Sequence, residues 1–150
     1  MKRWIFFAAA LAAVVLMPAR TKDVGELLPV ELLSIYKDNN QIHVETDTGE
    51  AGVGDTLTQA LADLKATAPG EVFLETADYL IVTKDTVDLL PQLTEVLRPA
   101  TEVCLGINAD TQAAAFLSAH KPGVTLKDCR SSGQALPRLI KTEERYRLVK

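Results

Sequence analysis

The sequence predicts an α/β or α+β fold: a mixed β-sheet with about three helices packed on it, after an N-terminal apolar leader helix. Short apolar or alternating segments of strand type recur from residue 30 onward. Segments with apolar residues at helical spacing lie between them. Strands that alternate with helices are typical of a sheet that is covered by helices. The expected order is therefore β-β-α-β-α-β-α-β-β.

The first predicted elements are a hairpin, a loop and a helix. Residues 30–46 predict two antiparallel strands around a turn at 38–40, whose residue types tolerate left-handed backbone. Residues 49–54 contain three glycines and predict a mobile loop rather than a phosphate site, because no Lys-Ser or Lys-Thr pair follows them. Thr56 and Gln59 then fit a capping box at the start of the helix.

The later predicted elements alternate between strand and helix. Asp85 is the expected N-cap of a second helix, and Pro91 is expected to bend that helix or to delay its start. The remaining predictions are an extended segment at 72–82 with a kink at 75–78, a strand at 101–107, a helix at 110–120, a helical turn at 125–130, and a terminal hairpin formed by 136–140 and 146–149.

Residues 1–19 predict an export leader. Lys2 and Arg3 precede an uncharged apolar run of 14 residues at 4–17. As a helix this run would be about 21 Å long, shorter than a hydrocarbon core of roughly 30 Å, which suits a signal peptide better than a transmembrane span. Cleavage after Ala19 would place Met17 where a small residue is preferred, so a cleaved signal and an uncleaved anchor both remain open.

The leader sets the expected organisation and location of the chain. A basic N-terminus favours a cytoplasmic start and an exported body, which predicts an extracytoplasmic domain at the outer face of the cell membrane. The chain divides into a signal peptide or anchor at 1–19, a linker at 20–29 and a single domain at 30–150. If the leader is uncleaved, residues 4–17 hold the domain at the membrane.

Charge and cysteine content narrow the expected partners. Residues 20–150 carry 14 basic and 20 acidic residues, a net charge of −6, which argues against nucleic acid as a partner. Cys104 and Cys129 either pair in an oxidising compartment or lie apart as small buried residues. With His43 and His120 they show no metal-site spacing, so no metal or other cofactor is expected.

Asp47-Thr48-Gly49 is the sharpest local motif. Aspartic proteases use Asp-Thr-Gly to bring two carboxylates together, and one copy per chain would require a dimer. Residues 103–106 mimic the apolar-apolar-glycine element that follows in those enzymes. Polar residues precede the triplet, however, and helical patterns lie between the two elements. The structural alternative is a turn that leaves the hairpin, in which Asp47 bonds to its own backbone.

Two histidine-containing arrangements are further candidates for chemistry. His120 ends a predicted helix, where an imidazole is expected to interact with the last carbonyls. A cysteine hydrolase that pairs Cys129 with a histidine is conceivable, but nothing in the sequence places the two side chains together. Residues 141–147 form a mixed charge run and are expected to be a solvated turn.

The order of elements, with four local strings, resembles a known family. The strings are residues 23–27, residues 54–61 at the start of a helix, the segments 72–74 and 79–82, and residues 135–138. Together they resemble the N-terminal domain of the C subunits of spore germinant receptors, over residues 23–138. The family lacks enzymatic activity. It is exported, tethered to the membrane, and acts with integral-membrane partner subunits in nutrient-triggered germination.

This sequence departs from that family at two places. Residues 17–20 contain no lipoprotein cysteine, and Glu75-Thr76 stand where the family often has a Gly-His pair. No functional residue is carried over. We therefore expect an exported or membrane-tethered, non-enzymatic domain that binds protein, with a membrane protein or receptor complex as partner. The alternative is an exported hydrolase of the dimeric aspartic type that uses Asp47.

Overall fold

A seven-stranded mixed sheet forms the centre of the fold. The computed structural model describes residues 27–107, 109–132, 134–143 and 145–150. Strands in these residues are β1 (Leu27–Pro29), β2 (Leu32–Asp38), β3 (Gln41–Thr46), β4 (Ala51–Gly54), β5 (Glu71–Phe73), β6 (Tyr79–Val82), β7 (Glu102–Leu105), β8 (Arg138–Thr142) and β9 (Arg145–Val149). Helices are α1 (Leu57–Thr67), α2 (Leu90–Leu93), α3 (Thr111–Ala119) and α4 (Leu126–Ser132), with 3₁₀ turns at Leu74–Thr76 and Lys84–Leu89.

The strand order in the large sheet is β4-β3-β2-β6-β7-β8-β9. The four adjacent strands β2, β6, β7 and β8 are parallel to one another. Strand β3 is antiparallel to both β2 and β4, and β9 is antiparallel to β8. Strands β1 and β5 form a separate two-stranded parallel sheet. The predicted mixed sheet with helices on it is confirmed, in an α+β arrangement. Residues 27–29, which fall in the predicted linker, form β1.

The hairpin β2–β3 has the predicted turn. Asp38 pairs with Gln41, which leaves Asn39 and Asn40 as the two loop residues. Their φ angles are 48° and 66°, in the left-handed region that a tight hairpin requires and that asparagine adopts more readily than most residues.

Residues 51–54 correct the predicted mobile loop, because they form strand β4 against β3. Gly52 is buried under α1, and a Cβ placed on it would lie 2.3 Å from both the carbonyl oxygen of Ala60 and the amide nitrogen of Leu64. Only glycine allows the helix backbone to approach the strand this closely. The predicted cap of α1 is confirmed, since the side chain of Thr56 accepts a hydrogen bond from the amide of Gln59.

The two faces of the sheet carry separate apolar clusters. Helices α1, α2 and α4 contribute to a larger cluster on the face of Leu33, Leu80 and Val103. Helix α3 packs on the opposite face, in a smaller cluster. The strand residues of that smaller cluster are Leu32, Tyr79, Ile81, Cys104 and Leu139. Alternation along the central strands places neighbouring residues on opposite faces, so both faces are apolar and the sheet lies between helical layers.

The segment after β6 departs from the predicted second helix in its cap and type. Thr83, and not Asp85, caps it through reciprocal hydrogen bonds with Thr86, and the first part is a 3₁₀ turn at Lys84–Leu89. Regular α-helix begins only at Leu90, next to Pro91. The expected delay by this proline is therefore confirmed, because proline fits the first turn of a helix and not its interior.

The leader at 1–19 and the rest of residues 1–26 lie outside the described residues. No helix in the described part of the chain is long and apolar enough to cross a membrane.

A basic and apolar cleft at the carboxyl ends of the strands

A cleft of about 770 Å³ opens where the parallel strands β2, β6 and β7 end. Its lining residues are Tyr36, Lys37, Thr83, Lys84, Asp85, Leu105, Gly106, Ile107, Arg138, Leu139, Ile140, Lys141 and Tyr146. In open sheets with parallel strands, the carboxyl ends of the strands are the usual place for a binding site, because the connecting loops diverge there. We refer to this site as the cleft.

Strand β8 closes one side of the cleft because it starts where β7 stops. Leu105 pairs with Arg138, and the amide of Leu105 donates to the carbonyl of Pro137 at 2.8 Å. Gly106 follows, and a Cβ on it would lie 3.0 Å from Ile81 Cγ2 and 3.3 Å from the carbonyl oxygen of Leu139. The missing side chain lets the two chain segments approach at the base of the cleft.

A buried hydroxyl holds the exit of β7. Ser34 is fully buried in β2, and its Oγ donates a hydrogen bond to the carbonyl of Ile107 at 3.2 Å. The side chain of Ile107 is nevertheless 67% exposed at the rim of the cleft. The backbone at this position is anchored while an aliphatic side chain is presented to solvent.

Another buried hydroxyl holds the segment that follows β6. Thr86 Oγ1 donates to the carbonyl of Ile35 at 2.9 Å, and the amide of Thr83 donates to Thr86 Oγ1 at 3.0 Å. These bonds tie the 3₁₀ turn to β2 and place the exposed side chains of Lys84 and Asp85 along the cleft. The rim is therefore built on hydrogen-bonded backbone.

The charge of the lining is mainly positive. Among the described lining residues, four are basic, namely Lys37, Lys84, Arg138 and Lys141, and Asp85 is the one acidic residue. Two of the four cations have partners, since Lys37 lies 3.9 Å from Asp88 and Lys141 lies 3.0 Å from Asp110. The cleft is thus a basic region on a chain whose formal net charge is −4.

Asp110, Lys141 and Tyr146 form a cluster beside the cleft. Asp110 Oδ2 accepts hydrogen bonds from the Tyr146 hydroxyl at 2.6 Å and from Lys141 Nζ at 3.0 Å, while Oδ1 accepts from the amide of Ala113 and caps α3. Partial burial raises the pKa of Asp110, but these hydrogen bonds outweigh it and hold the pKa below its ordinary value. The carboxylate therefore joins α3 to the hairpin β8–β9 as an anion.

Tyr36 is the other aromatic residue of the cleft. Its hydroxyl donates to Glu45 Oε1 at 2.6 Å, and its ring stacks on His43 with a centroid separation of 5.0 Å. The hydrogen bond to Glu45, followed by burial, raises the pKa of Tyr36 to about 12. The phenol stays protonated at neutral pH and serves as a hydrogen-bond donor.

The structure places Asp47 in a structural position. Its Oδ1 accepts hydrogen bonds from the amides of Glu31 at 3.2 Å and Leu32 at 3.1 Å, and its own amide donates to the carbonyl of Leu32. The carboxylate therefore fastens the turn after β3 to the start of β2. This arrangement resembles the backbone-bonding alternative, although the partners lie on the neighbouring strand.

The cysteines and histidines are not brought together. Cys104 and Cys129 are both free thiols, and they belong to clusters on opposite faces of the sheet. Burial raises the pKa of Cys104 to about 12. His120 Nδ1 lies 3.2 Å from the carbonyl oxygen of Phe116, at the end of α3, as expected of a capping residue. Among the described residues, no group of three or more His, Cys, Asp or Glu is placed to hold a metal ion.

Sequence reasoning missed the cleft because its residues come from four separate segments. The charge run at 141–147 predicts a solvated turn, but it includes Lys141 and Tyr146, which line the cleft. The available signal was the predicted terminal hairpin, which carries Arg138 in its first strand and Lys141 directly after it. Comparison of the chain with protein-family models, with curated proteins and with solved structures gives no match.

Proposed function

We propose that the chain is an exported, non-enzymatic domain that acts at the outer face of the cell membrane by binding a partner protein. Residues 4–17 tether the domain if the leader is retained, and cleavage releases it. The basic start and apolar run of the leader support the location. The cleft supports the mode of action.

The observation that carries the proposal is the contrast between the cleft and the remainder of the domain. Exposed Ile107 and Ile140 stand beside four cations in the cleft. The residues of 27–150 that do not line the cleft carry, in contrast, 17 acidic and 8 basic residues. Apolar side chains next to cations suit a partner surface that combines apolar and acidic groups. The difference in charge between the cleft and the rest of the domain orients the approaching partner.

The hydrogen bonds of the cleft favour binding over catalysis. The Tyr36 hydroxyl is committed to Glu45, and both Lys141 and the Tyr146 hydroxyl are committed to Asp110. A hydrolase needs a nucleophile within hydrogen-bond reach of a base. The side chains that line the described cleft bring no cysteine, serine or histidine to it. We therefore assign the cleft to recognition.

A relation to the C subunits of spore germinant receptors belongs to the same proposal. It rests on the order of elements and on the local strings at 23–138. Under this proposal the partner is a membrane protein or a receptor complex whose exported surface reaches the cleft. No nucleic acid and no cofactor is required.

Fractionation and site-specific crosslinking test the proposal in cells that produce the full chain. A photo-crosslinking amino acid replaces Ile107 at the cleft or, as the control, Phe73. Both are exposed apolar residues, and Phe73 lies in β5 of the smaller sheet. We expect the chain in the membrane or exported fraction, and one discrete protein adduct from position 107 that position 73 does not give.

Two results would count against the proposal. A cytosolic pool that holds most of the chain would contradict export. Equal adducts from positions 107 and 73, or none from 107, would contradict recognition at the cleft.

A further inference from the structure

Strand β9 ends the seven-stranded sheet and leaves one edge without a strand among the described residues. Apart from their pairing with β8, residues 146–149 form no backbone hydrogen bond with another described residue. An edge of this kind presents alternate N–H and C=O groups to solvent. It is a geometric template for one more strand.

The two sides of β9 differ in chemistry. Arg145, Arg147 and Val149 alternate on the side turned away from α3, and Arg147 lies opposite Ile140 of β8. Ile140 and Val149 are 43% and 39% exposed, so no helix of the described chain covers this side. Neither arginine side chain forms an ion pair with another residue of the described chain. This side presents unpaired cations beside aliphatic surface.

On the α3 side of β9, apolar side chains reach the edge of the sheet and are only partly covered. Tyr146 and Leu148 are half-buried and pack against the cluster under α3. Phe116 of α3 is also half-buried, and its ring lies 6.0 Å from that of Tyr146. An additional strand beside β9 would extend this layer with its own apolar side chains.

We infer that the edge of β9 binds an extended segment of a partner protein whose residues alternate between acidic and apolar. Side chains of a strand point to opposite faces in turn. One set of the partner's side chains would therefore meet Arg145 and Arg147, and the other set would pack beside Tyr146, Leu148 and Phe116. Main-chain hydrogen bonds to β9 would supply affinity, and the alternation would supply specificity.

The arginines would also limit indiscriminate pairing of this edge. Charged side chains on an edge strand discourage association with neutral or basic strands, including a second copy of β9. The same charges favour an acidic strand. This inference rests on the proposed function, since it names the chemistry of the partner segment next to the cleft.

Peptide binding to the purified full chain tests the inference. The probe is a fluorescent peptide that alternates glutamate and valine, and its anisotropy is measured at low and high salt. Controls are a peptide of the same composition with the glutamates and valines in two blocks, and a lysine–valine alternating peptide. Two further peptides carry N-methyl groups on every second amide, one in each of the two possible registers, because methylation removes the donors that a strand needs.

We expect the alternating acidic peptide to bind and the block and lysine peptides to bind at least tenfold more weakly. One N-methyl register should abolish binding, and amides of residues 145–149 should gain protection from hydrogen exchange. The double variant Arg145→Glu/Arg147→Glu should weaken binding at least tenfold, whereas Lys127→Glu/Arg130→Glu, the same total charge change at exposed positions of α4, should not. Thermal unfolding of each variant verifies that the fold is retained.

Equal binding of the block peptide, tolerance of both N-methyl registers, or no binding of the alternating peptide would overturn the inference. So would binding of the full chain through Arg145 and Arg147 to anionic lipid vesicles in place of the peptide. A discrete adduct from Ile107 together with a failed peptide test would leave the proposed function standing and remove only the edge site.

Discussion

The hydroxyl of Ser34 in β2 donates to the backbone carbonyl of Ile107, 73 residues away, and so fixes the rim of the cleft from inside the sheet. Replacing Ser34 by alanine should lower the free energy of unfolding by about 1 kcal/mol, because one buried hydrogen bond is lost. Hydrogen exchange should also quicken around residues 106–107. Urea unfolding and exchange measurements check both effects.

The matched control for that change is Ser131→Ala, which removes an exposed serine hydroxyl that donates to carbonyls within α4. Its effect should stay below about 0.5 kcal/mol. Equal effects of the two substitutions, or unchanged exchange at the rim in the Ser34 variant, would show that Ser34 does not hold Ile107.

Gly52 should be the glycine least tolerant of alanine. The added Cβ would meet backbone atoms of α1 at 2.3 Å, so strand and helix must separate, at a cost of about 3 kcal/mol. Gly49 has φ +97° but open space around it, so Gly49→Ala should cost only the strain of a left-handed residue, about 1–2 kcal/mol. Denaturant midpoints compare the two. A milder effect at Gly52 would contradict the close packing of β4 on α1.

Asp110 should make the stability of the domain depend on pH in the acidic range. Because its folded pKa lies below the ordinary 3.8, its contribution is present above pH 3.8 and is lost as pH falls through the folded value. Asp110→Asn keeps a helix-capping side chain but removes this titration. The stability difference between wild type and variant should be largest above pH 4 and shrink towards lower pH.

That difference should remain below about 1 kcal/mol, because Asp110 and Lys141 are both partly exposed and solvent screens their interaction. Urea unfolding from about pH 2.5 to pH 6 measures it in both proteins. Subtraction removes the contributions of Glu50 and Asp128, whose pKa values are also lowered. A difference that is constant across the range, or that grows at low pH, would contradict the assignment.

Substitutions of Asp47 distinguish a structural role of this residue from a catalytic role in an aspartic hydrolase. Asp47→Asn retains Oδ1 as the acceptor for the amides of Glu31 and Leu32, so stability should change by less than about 0.5 kcal/mol. Asp47→Ala removes the acceptor and should cost about 1–2 kcal/mol. Denaturant unfolding measures both. Cleavage of unfolded casein by the wild type, lost in Asp47→Asn, would favour the hydrolase instead.

Local patterns predicted most of the elements, because hairpin turns, caps and apolar spacing are read from neighbouring residues. Asn39 and Asn40, Thr56 and Pro91 all act as expected. The errors arose where a tertiary contact decides the outcome. The glycine-rich sequence of β4 is typical of a loop. Only the close packing of α1 on β4 explains why these glycines lie in a strand.

The cap at Thr83 was missed for a related reason. Asp85 is an equally good local candidate, but the bond from Thr86 to the carbonyl of Ile35 favours the earlier start. The cleft could not be predicted from local patterns. Its lining comes from segments that meet only through the strand order, as shown by Tyr36, Lys84, Ile107 and Arg138.

We propose that the positive charge of the cleft recognises a partner protein outside the cell membrane. The most direct measurement is the yield of the adduct from a crosslinker at position 107 in the double variant Lys84→Glu/Arg138→Glu, with Lys121→Glu as the control. We predict that the double variant loses most of the adduct while the control keeps it, in chains of equal abundance and thermal stability. An adduct that persists unchanged in the double variant would contradict the account.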